Sequence, residues 1–84
     1  EDRARVVALA EGIDGAPRVT QVLAVHLGPE VVVLALKIAF APGTTVEAVE
    51  EMTNEMERRI RAEMPRMKKI FIEVDSKGDG RGLA

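Results

Sequence analysis

Apolar residues recur with two different spacings along this chain, and the spacings predict its elements. Between residues 46 and 64 they return every three or four positions, which is the period of one helix face. The members of that stripe are Val46, Val49, Met52, Met56, Ile60 and Met64. Residues 1–11 repeat this spacing more briefly and predict a first helix. Residues 19–27, 30–40 and 68–74 are short runs rich in Val, Leu and Ile, and they predict three strands.

Turn and capping residues mark the ends of these elements. Gly28 and Pro29 separate the first two predicted strands by so short a turn that we expect an antiparallel hairpin. Thr44, followed three residues later by Glu47, predicts the N-cap and capping box of the long helix. Pro65 should end that helix, because proline has no amide hydrogen to continue the ladder.

The order helix, strand, strand, helix, strand predicts an α+β fold. A strand–helix–strand crossover is right-handed and joins parallel strands, so the last two strands should pair in parallel. We therefore expect a ferredoxin-like α-β-β-α-β domain, with a three-stranded mixed sheet and two helices on one face. We assign this domain to residues 1–76. Residues 77–82 alternate charge with glycine, and we expect residues 77–84 to form a disordered tail.

Alternation along the strands assigns each residue to one face of the sheet. The large apolar residues share one side, and we expect the helices to cover it. They are Leu34, Leu36, Ile38 and Phe40 in the second strand and Ile70, Ile72 and Val74 in the last. The opposite face then mixes small, apolar and charged residues, namely Ala35, Lys37, Ala39, Phe71, Glu73 and Asp75. A face of this composition is either solvated or part of an interface with a partner.

Composition narrows the function. The chain has 84 residues, no cysteine and one histidine, which excludes disulfides, thiolate metal sites and a compact His-rich zinc site within one chain. A chain this short gains stability from oligomerisation, which favours a dimer. The net charge of −2, the absence of a basic tract and the presence of only two aromatic residues argue against nucleic-acid binding. No catalytic constellation is present, so we expect a protein that is not an enzyme.

The ordered set of turns and elements resembles the cytosolic C-terminal domain of cation diffusion facilitator (cation efflux) transporters, which are proton-coupled metal exporters. The resemblance runs from the first helix to the last strand. The residues that carry it are the Gly12–Gly15 spacing, Gly28-Pro29, the Thr-x-x-Glu-Ala helix start at Thr44, Pro65 and the acid Asp75 that follows the last strand.

The resemblance implies four positions at which zinc-transporting members commonly hold histidine in this domain. They fall at Thr20 or its neighbour Gln21, at Lys37, at Glu50 and at Glu73, with the family's terminal acid retained as Asp75. None of the four is histidine here, so the usual His-based zinc sites should be absent.

Two interpretations of these residues follow. In the first, which we favour, the domain holds no metal, and the ammonium of Lys37 neutralises Glu73 and Asp75 on the same sheet face. In the second, Glu73, Asp75 and Glu50 are oxygen ligands of a divalent metal (Zn, Mn or Fe). Carboxylates suit Mn, Fe(II), Mg or Ca better than zinc, and the adjacent lysine disfavours a tight site.

By resemblance, then, the chain is a regulatory and dimerisation domain of a divalent-metal efflux transporter. Its expected partners are a second copy and the membrane domain of the same full-length chain, with no nucleic acid. Its expected location is the cytoplasmic face of the cell membrane, as a soluble part of a membrane protein. The alternative is a free-standing ferredoxin-like module that binds a small ligand or a metal.

Overall fold

A computed structural model describes residues 2–15 and 17–75 of the chain. Its five elements are α1 (Asp2–Glu11), β1 (Arg18–Gly28), β2 (Val31–Ala39), α2 (Val46–Glu63) and β3 (Met67–Val74). The strands form one sheet in the order β1-β2-β3, with β1 antiparallel and β3 parallel to the central β2. This is the predicted α-β-β-α-β fold with a mixed three-stranded sheet. The predicted tail, residues 77–84, lies outside the described residues.

The long helix begins one residue later than its sequence predicts. Thr45, not Thr44, is the N-cap, and its hydroxyl accepts a hydrogen bond of 3.0 Å from the amide of Ala48. Thr44 instead donates its hydroxyl to the carbonyl of Ala41 at 2.5 Å and closes the preceding turn. The predicted capping box is therefore wrong. The third residue after the true cap is Ala48, whose methyl side chain cannot accept a hydrogen bond from the amide of Thr45.

The C-terminal end of α2 lies just before Pro65, as the sequence predicts. The amide of Met64 donates to the carbonyl of Ile60 at 2.7 Å and forms the C-cap, and Pro65 follows. Met56 and Ile60 are fully buried, whereas Val46, predicted as part of the apolar stripe, is the first residue of the helix and is 73% exposed.

The core lies between the helices and one face of the sheet. Leu34, Leu36 and Ile38 of β2 are at most 1% exposed, and side chains from every other element pack on them. The remaining buried members are Val6, Ala10, Ile13, Val22, Val32, Met56, Ile60, Met64, Met67 and Ile70. The predicted face of β2 is therefore confirmed. Of the β3 residues predicted to share it, Ile70 is buried, whereas Val74, the last residue of the strand, is 55% exposed.

Helix α1 closes the outer edge of β1 with two side chains. Arg3 donates to the carbonyl of Val22 at 3.0 Å, and Glu11 accepts from the amide of Val19 at 2.9 Å. Pairing these edge groups limits uncontrolled strand addition at this part of the sheet. Ion pairs from Arg66 to Asp2 (2.5 Å) and from Arg5 to Glu63 (2.6 Å) join α1 to the rest of the domain.

Candidate functional site on the uncovered sheet face

The sheet face that carries no helix, hereafter the open face, collects exposed apolar side chains. Leu23, Val31 and Phe71 are 54%, 37% and 58% exposed and alternate with residues buried on the helical side. Val25, 44% exposed, shares their side, and Leu27 follows at the hairpin end with 67% exposure. Of the seven large apolar residues that are exposed within residues 2–15 and 17–75, only Val46 and Val74 lie away from this region.

A shallow depression of about 190 Å³ lies in the middle of the open face. Its floor is the small side chain of Ala35 on β2, and Leu23 on β1 and Phe71 on β3 flank it. Lys37 and Glu73 line the end that points towards the carboxyl ends of β2 and β3. The open face thus has an apolar middle and a charged end.

A bulge in β1 organises the charged end. Val19 pairs with Ile38, but Gln21 pairs with Lys37, so Thr20 is an extra residue in β1. The Thr20 hydroxyl donates to a carboxylate oxygen of Asp75 at 2.5 Å and lies 3.2 Å from the carbonyl oxygen of Lys37. Thr20 therefore reaches across the central strand and holds the acid that follows β3.

Lys37 of β2 and Glu73 of β3 carry opposite charges on adjacent strands, but they do not form an ion pair. Lys37 and Glu73 are direct neighbours in the register of the parallel strands. No ion pair within 4.0 Å joins either of them to another side chain in the described part of the molecule. The lysine is half-buried and the glutamate is exposed, so both charges remain available at the surface of one protomer.

The structure brings together four of the residues that the resemblance singled out, and separates one. Thr20, Lys37, Glu73 and Asp75 share the charged end of the open face. Glu50 is an exposed residue of α2, which packs against the opposite face of the sheet.

These residues do not fit a divalent cation within one chain. Over residues 2–15 and 17–75, no three His, Cys, Asp or Glu side chains come close enough to hold a metal ion. One oxygen of Asp75 already accepts the Thr20 hydroxyl, and the ammonium of Lys37 stands beside Glu73 in register. A lysine at this position opposes a second positive charge.

None of the helices in the described ranges is long and apolar enough to cross a membrane.

Comparison with protein families identifies the chain. Residues 1–77 match the family model ZT_dimer, described as "Cation efflux protein, cytoplasmic domain". The chain belongs to this family of cation efflux cytoplasmic domains. No protein with a curated description matches it.

Solved structures of MamM CTD have the same fold as this cation efflux domain. One substituted form aligns with a TM-score of 0.80 and 22% sequence identity, over 88% of this chain and 91% of that chain. A second variant, in a nickel form, gives a TM-score of 0.80 and 20% identity, over 88% of this chain and 92% of that one. A third variant, in a copper form, gives a TM-score of 0.80 and 20% identity, over 88% of this chain and 91% of that chain. At this identity the likeness establishes the α-β-β-α-β fold.

Two features of the site escaped the sequence reasoning. The open face was predicted from β2 and β3 alone, whereas Leu23 and Val25 of β1 form one of its apolar edges. Alternation separates Leu23 and Val25 from Val22, but only the pairing of Leu23 with Ala35 shows which of the two sides is open. The bond from Thr20 to Asp75 depends on the β1 bulge, and nothing in the spacing of residues 18–28 marks a bulge at that position.

Proposed function

We propose that this chain is the cytosolic regulatory and dimerisation domain of a divalent-metal efflux transporter, and that its open face binds the same face of a second copy. The observation that carries the proposal is the gathering of exposed Leu23, Val25, Val31 and Phe71 on one side of the sheet. The domain would act at the cytoplasmic face of the cell membrane and couple to the membrane domain of its full-length chain.

The physical reason is the cost of leaving this face in water. Contiguous exposed apolar patches are uncommon on monomeric domains and mark interaction sites. Burying apolar area stabilises an assembly by about 25 cal/mol per Å². A domain of 84 residues buries only a small apolar core on folding. Association with a second copy would bury further apolar surface and so add to its stability.

We further propose that dimerisation requires no metal. Lys37 supplies a fixed positive charge where a bound cation would otherwise offset Glu73 and Asp75. The alternative, in which Glu73, Asp75 and Glu50 bind Zn, Mn or Fe as oxygen ligands, would need Glu50 to come from a second copy, since it does not reach the other two within one chain.

The use of the open face is tested by matched polar substitutions. Leu23→Asn places an amide in the proposed interface, and Val46→Asn makes the same kind of change at an exposed position on α2. In sedimentation equilibrium, Leu23→Asn should raise the dimer dissociation constant about tenfold or more, as loss of a buried apolar contact does. Val46→Asn should leave it unchanged. Equal effects of the two substitutions would contradict the assignment of the face.

The metal question is tested by calorimetric titration of chelator-treated protein with Zn²⁺ and then Mn²⁺. The proposal predicts a dimer and no heat beyond dilution. Saturable heat that disappears in the Glu73→Ala, Asp75→Ala double variant would overturn the metal-free assignment and establish an oxygen-ligated site. A Lys37→Met variant extends the test, because removal of the ammonium should then increase any affinity for the cation.

A further inference from the structure

We propose that one end of the domain docks on an anionic lipid surface. It is the end that holds the β1–β2 turn, hereafter the turn end. Lys68 and Lys69 contact the lipid phosphates, and Leu27 enters the boundary between headgroups and acyl chains. The inference rests on the proposed function in one respect, the location of the domain at the cytoplasmic face of a membrane, and it requires neither a dimer nor a metal ion.

The fold brings parts of all five elements together at the turn end. The short turn between β1 and β2 lies there, and β3 begins beside it because Met67 pairs with Val32. Helix α2 ends there, since the amide of Met67 donates to the carbonyl of its C-cap Met64 at 3.0 Å. Helix α1 begins there, because Asp2 forms an ion pair with Arg66. If a membrane part precedes α1, as the proposed function has it, this end of the domain faces the bilayer.

Charge is unevenly divided between the two halves of the domain. Residues 2–5, 24–34 and 55–70 make up the half that includes the turn end, and they carry eight Lys and Arg against five Asp and Glu, a net charge of +3. The other described residues carry two Lys and Arg against seven Asp and Glu, a net charge of −5. An anionic surface therefore attracts the turn end and repels the opposite end.

Screening strengthens this preference for one end. The nine residues of β2 separate the two ends by about 30 Å at the rise of a strand. The Debye length at physiological ionic strength is about 8 Å. A lipid surface that touches the turn end therefore interacts with the positive charges there, while salt screens it from the acidic residues at the far end.

Lys68 and Lys69 are the cations of the turn end that remain free to bind phosphate. Both are exposed, and no ion pair joins either of them to a carboxylate within the described residues. The arginines of the same half are committed differently: five of them pair with carboxylates, and Arg3 donates to the carbonyl of Val22. Each free lysine close to an anionic bilayer favours adsorption by about fivefold.

A bulge places an apolar side chain at the tip of the same end. In the pairing of β1 with β2 the register shifts between His26 and Gly28, so Leu27 is the extra residue and has no partner on β2. Its side chain is 67% exposed, and the adjacent turn residue Pro29 is exposed as well. Peripheral proteins bind bilayers through buried apolar area together with attraction to anionic lipids, and the turn end offers both.

The test is co-sedimentation of the chain with vesicles of equal parts phosphatidylglycerol and phosphatidylcholine, compared with vesicles of phosphatidylcholine alone. We expect binding to the anionic vesicles that weakens as salt is raised, and binding to the neutral vesicles that is about tenfold weaker or less. The Lys68→Gln, Lys69→Gln double variant should weaken binding to the anionic vesicles about tenfold or more. Leu27→Asn should weaken it by about threefold or more.

Two further variants are matched controls of position and sign. Arg18→Gln removes one exposed positive charge at the opposite end, and it should change binding by less than about twofold, whereas Lys68→Gln alone should weaken it about fivefold. Glu30→Gln removes the acid of the turn and should strengthen binding about threefold. A gain of this kind does not arise from unfolding, and circular dichroism on every variant identifies any that fail to fold.

The orientation of the bound domain is tested with a fluorophore that responds to apolar surroundings. The chain has no cysteine, so an introduced one carries a single label. Pro29→Cys places the label in the turn, and Ala41→Cys places it beyond β2 at the opposite end. Anionic vesicles should shift the emission of the label at residue 29 to shorter wavelength and leave that at residue 41 unchanged. Equal shifts at the two positions would overturn docking through the turn end.

The outcomes separate this inference from the proposed function. A wild-type chain that does not bind anionic vesicles at low salt, or that loses the same affinity in Lys68→Gln as in Arg18→Gln, would overturn the lipid contact and leave dimerisation through the open face standing. A chain that binds these vesicles with the predicted dependence on Lys68 and Leu27, yet is monomeric at all concentrations, would overturn the dimer and support the lipid contact.

Discussion

At the scale of single residues, adjacent threonines show how local chemistry chooses between two equivalent sequence patterns. Thr44 and Thr45 both precede α2, and a glutamate three residues after Thr44 made it the better candidate cap. In the structure the Thr44 hydroxyl is committed to the carbonyl of Ala41, so Thr45 caps the helix. The choice depends on the turn at residues 41–44, which spacing alone does not describe.

The cap is tested by removing each hydroxyl in turn. Thr45→Ala should lower the free energy of unfolding by about 1 kcal/mol, because the amide of Ala48 loses its acceptor. Thr44→Ala should cost less, since the bond that it removes is exposed and closes only a turn. Urea unfolding of both variants at one fixed protein concentration provides the comparison. A larger loss for Thr44→Ala would restore the sequence-based assignment of the cap.

Glycine conformation gives a second prediction at this scale. Gly15 and Gly43 both have positive φ, +106° and +86°, so alanine is strained at either position. A Cβ at Gly15 would also lie 2.7 Å from the sulfur of Met52, whereas nothing lies within 4 Å of one at Gly43.

Gly43→Ala should therefore cost about 1 kcal/mol of unfolding free energy, and Gly15→Ala should cost more. The excess measures the displacement of Met52 from its position against the core. Thermal or urea unfolding of the two variants gives the difference directly. Equal losses would mean that the Met52 side chain moves aside without cost.

At the scale of elements, the periodicity of apolar residues predicts the regular helices and strands, but it does not predict irregular features such as a bulge. The helical spacing of Met52, Met56 and Ile60 correctly marks the buried face of α2, and the period of two correctly separates Leu36 from Lys37 in β2. The strand pairing followed from connection lengths and the handedness of crossovers. The bulge at Thr20 did not, because it is set by how β1 fits against β2 and α1 rather than by residues 18–28 alone.

The charged face of α2 yields a pH prediction. Hydrogen bonds from Arg59, and next from Arg58, hold the pKa of Glu55 below its ordinary value. A carboxyl whose pKa is lower in the folded state stabilises the fold above its unfolded pKa, and that stabilisation is lost as the pH falls through the folded value. Glu55→Gln should therefore be less stable than wild type near neutral pH, and the difference should vanish on acidification.

The matched control is Glu57→Gln, which removes a carboxylate that bonds one arginine, Arg61, at 3.3 Å on the same helix. Denaturant unfolding across the acid range, with NMR titration of the Glu55 carboxyl, follows both effects. A difference between Glu55→Gln and wild type that stays constant through the acid range would refute the role given to the two arginines.

At the scale of the whole molecule, the helices leave one face of the sheet uncovered. Four of the residues that the family resemblance singles out lie on that face. The sequence predicted that β2 and β3 would present Lys37, Phe71 and Glu73 together, and the structure places them around one depression. The contribution of β1 is not predictable in this way, because apolar residues occupy both sides of the strand at residues 19–27.

A family resemblance identifies positions in the sequence, but the role of the residues at those positions depends on how the fold arranges them. Glu50, Glu73 and Asp75 looked alike as oxygen donors in the sequence, but the sheet lies between Glu50 and the other two. Lys37 acquires its proposed role only through its register with Glu73. Matching a family position therefore identifies where a site would be, while packing and register decide what the side chains there are able to bind.

The central claim is that this cation efflux domain forms a dimer through its open face without a metal ion. The most direct test is sedimentation equilibrium of the wild-type chain over a range of concentrations, in chelator and in excess Zn²⁺. The account predicts a monomer–dimer equilibrium in chelator, with a dissociation constant that zinc leaves unchanged. A chain that is monomeric in chelator and becomes dimeric only when Zn²⁺ is added would contradict it.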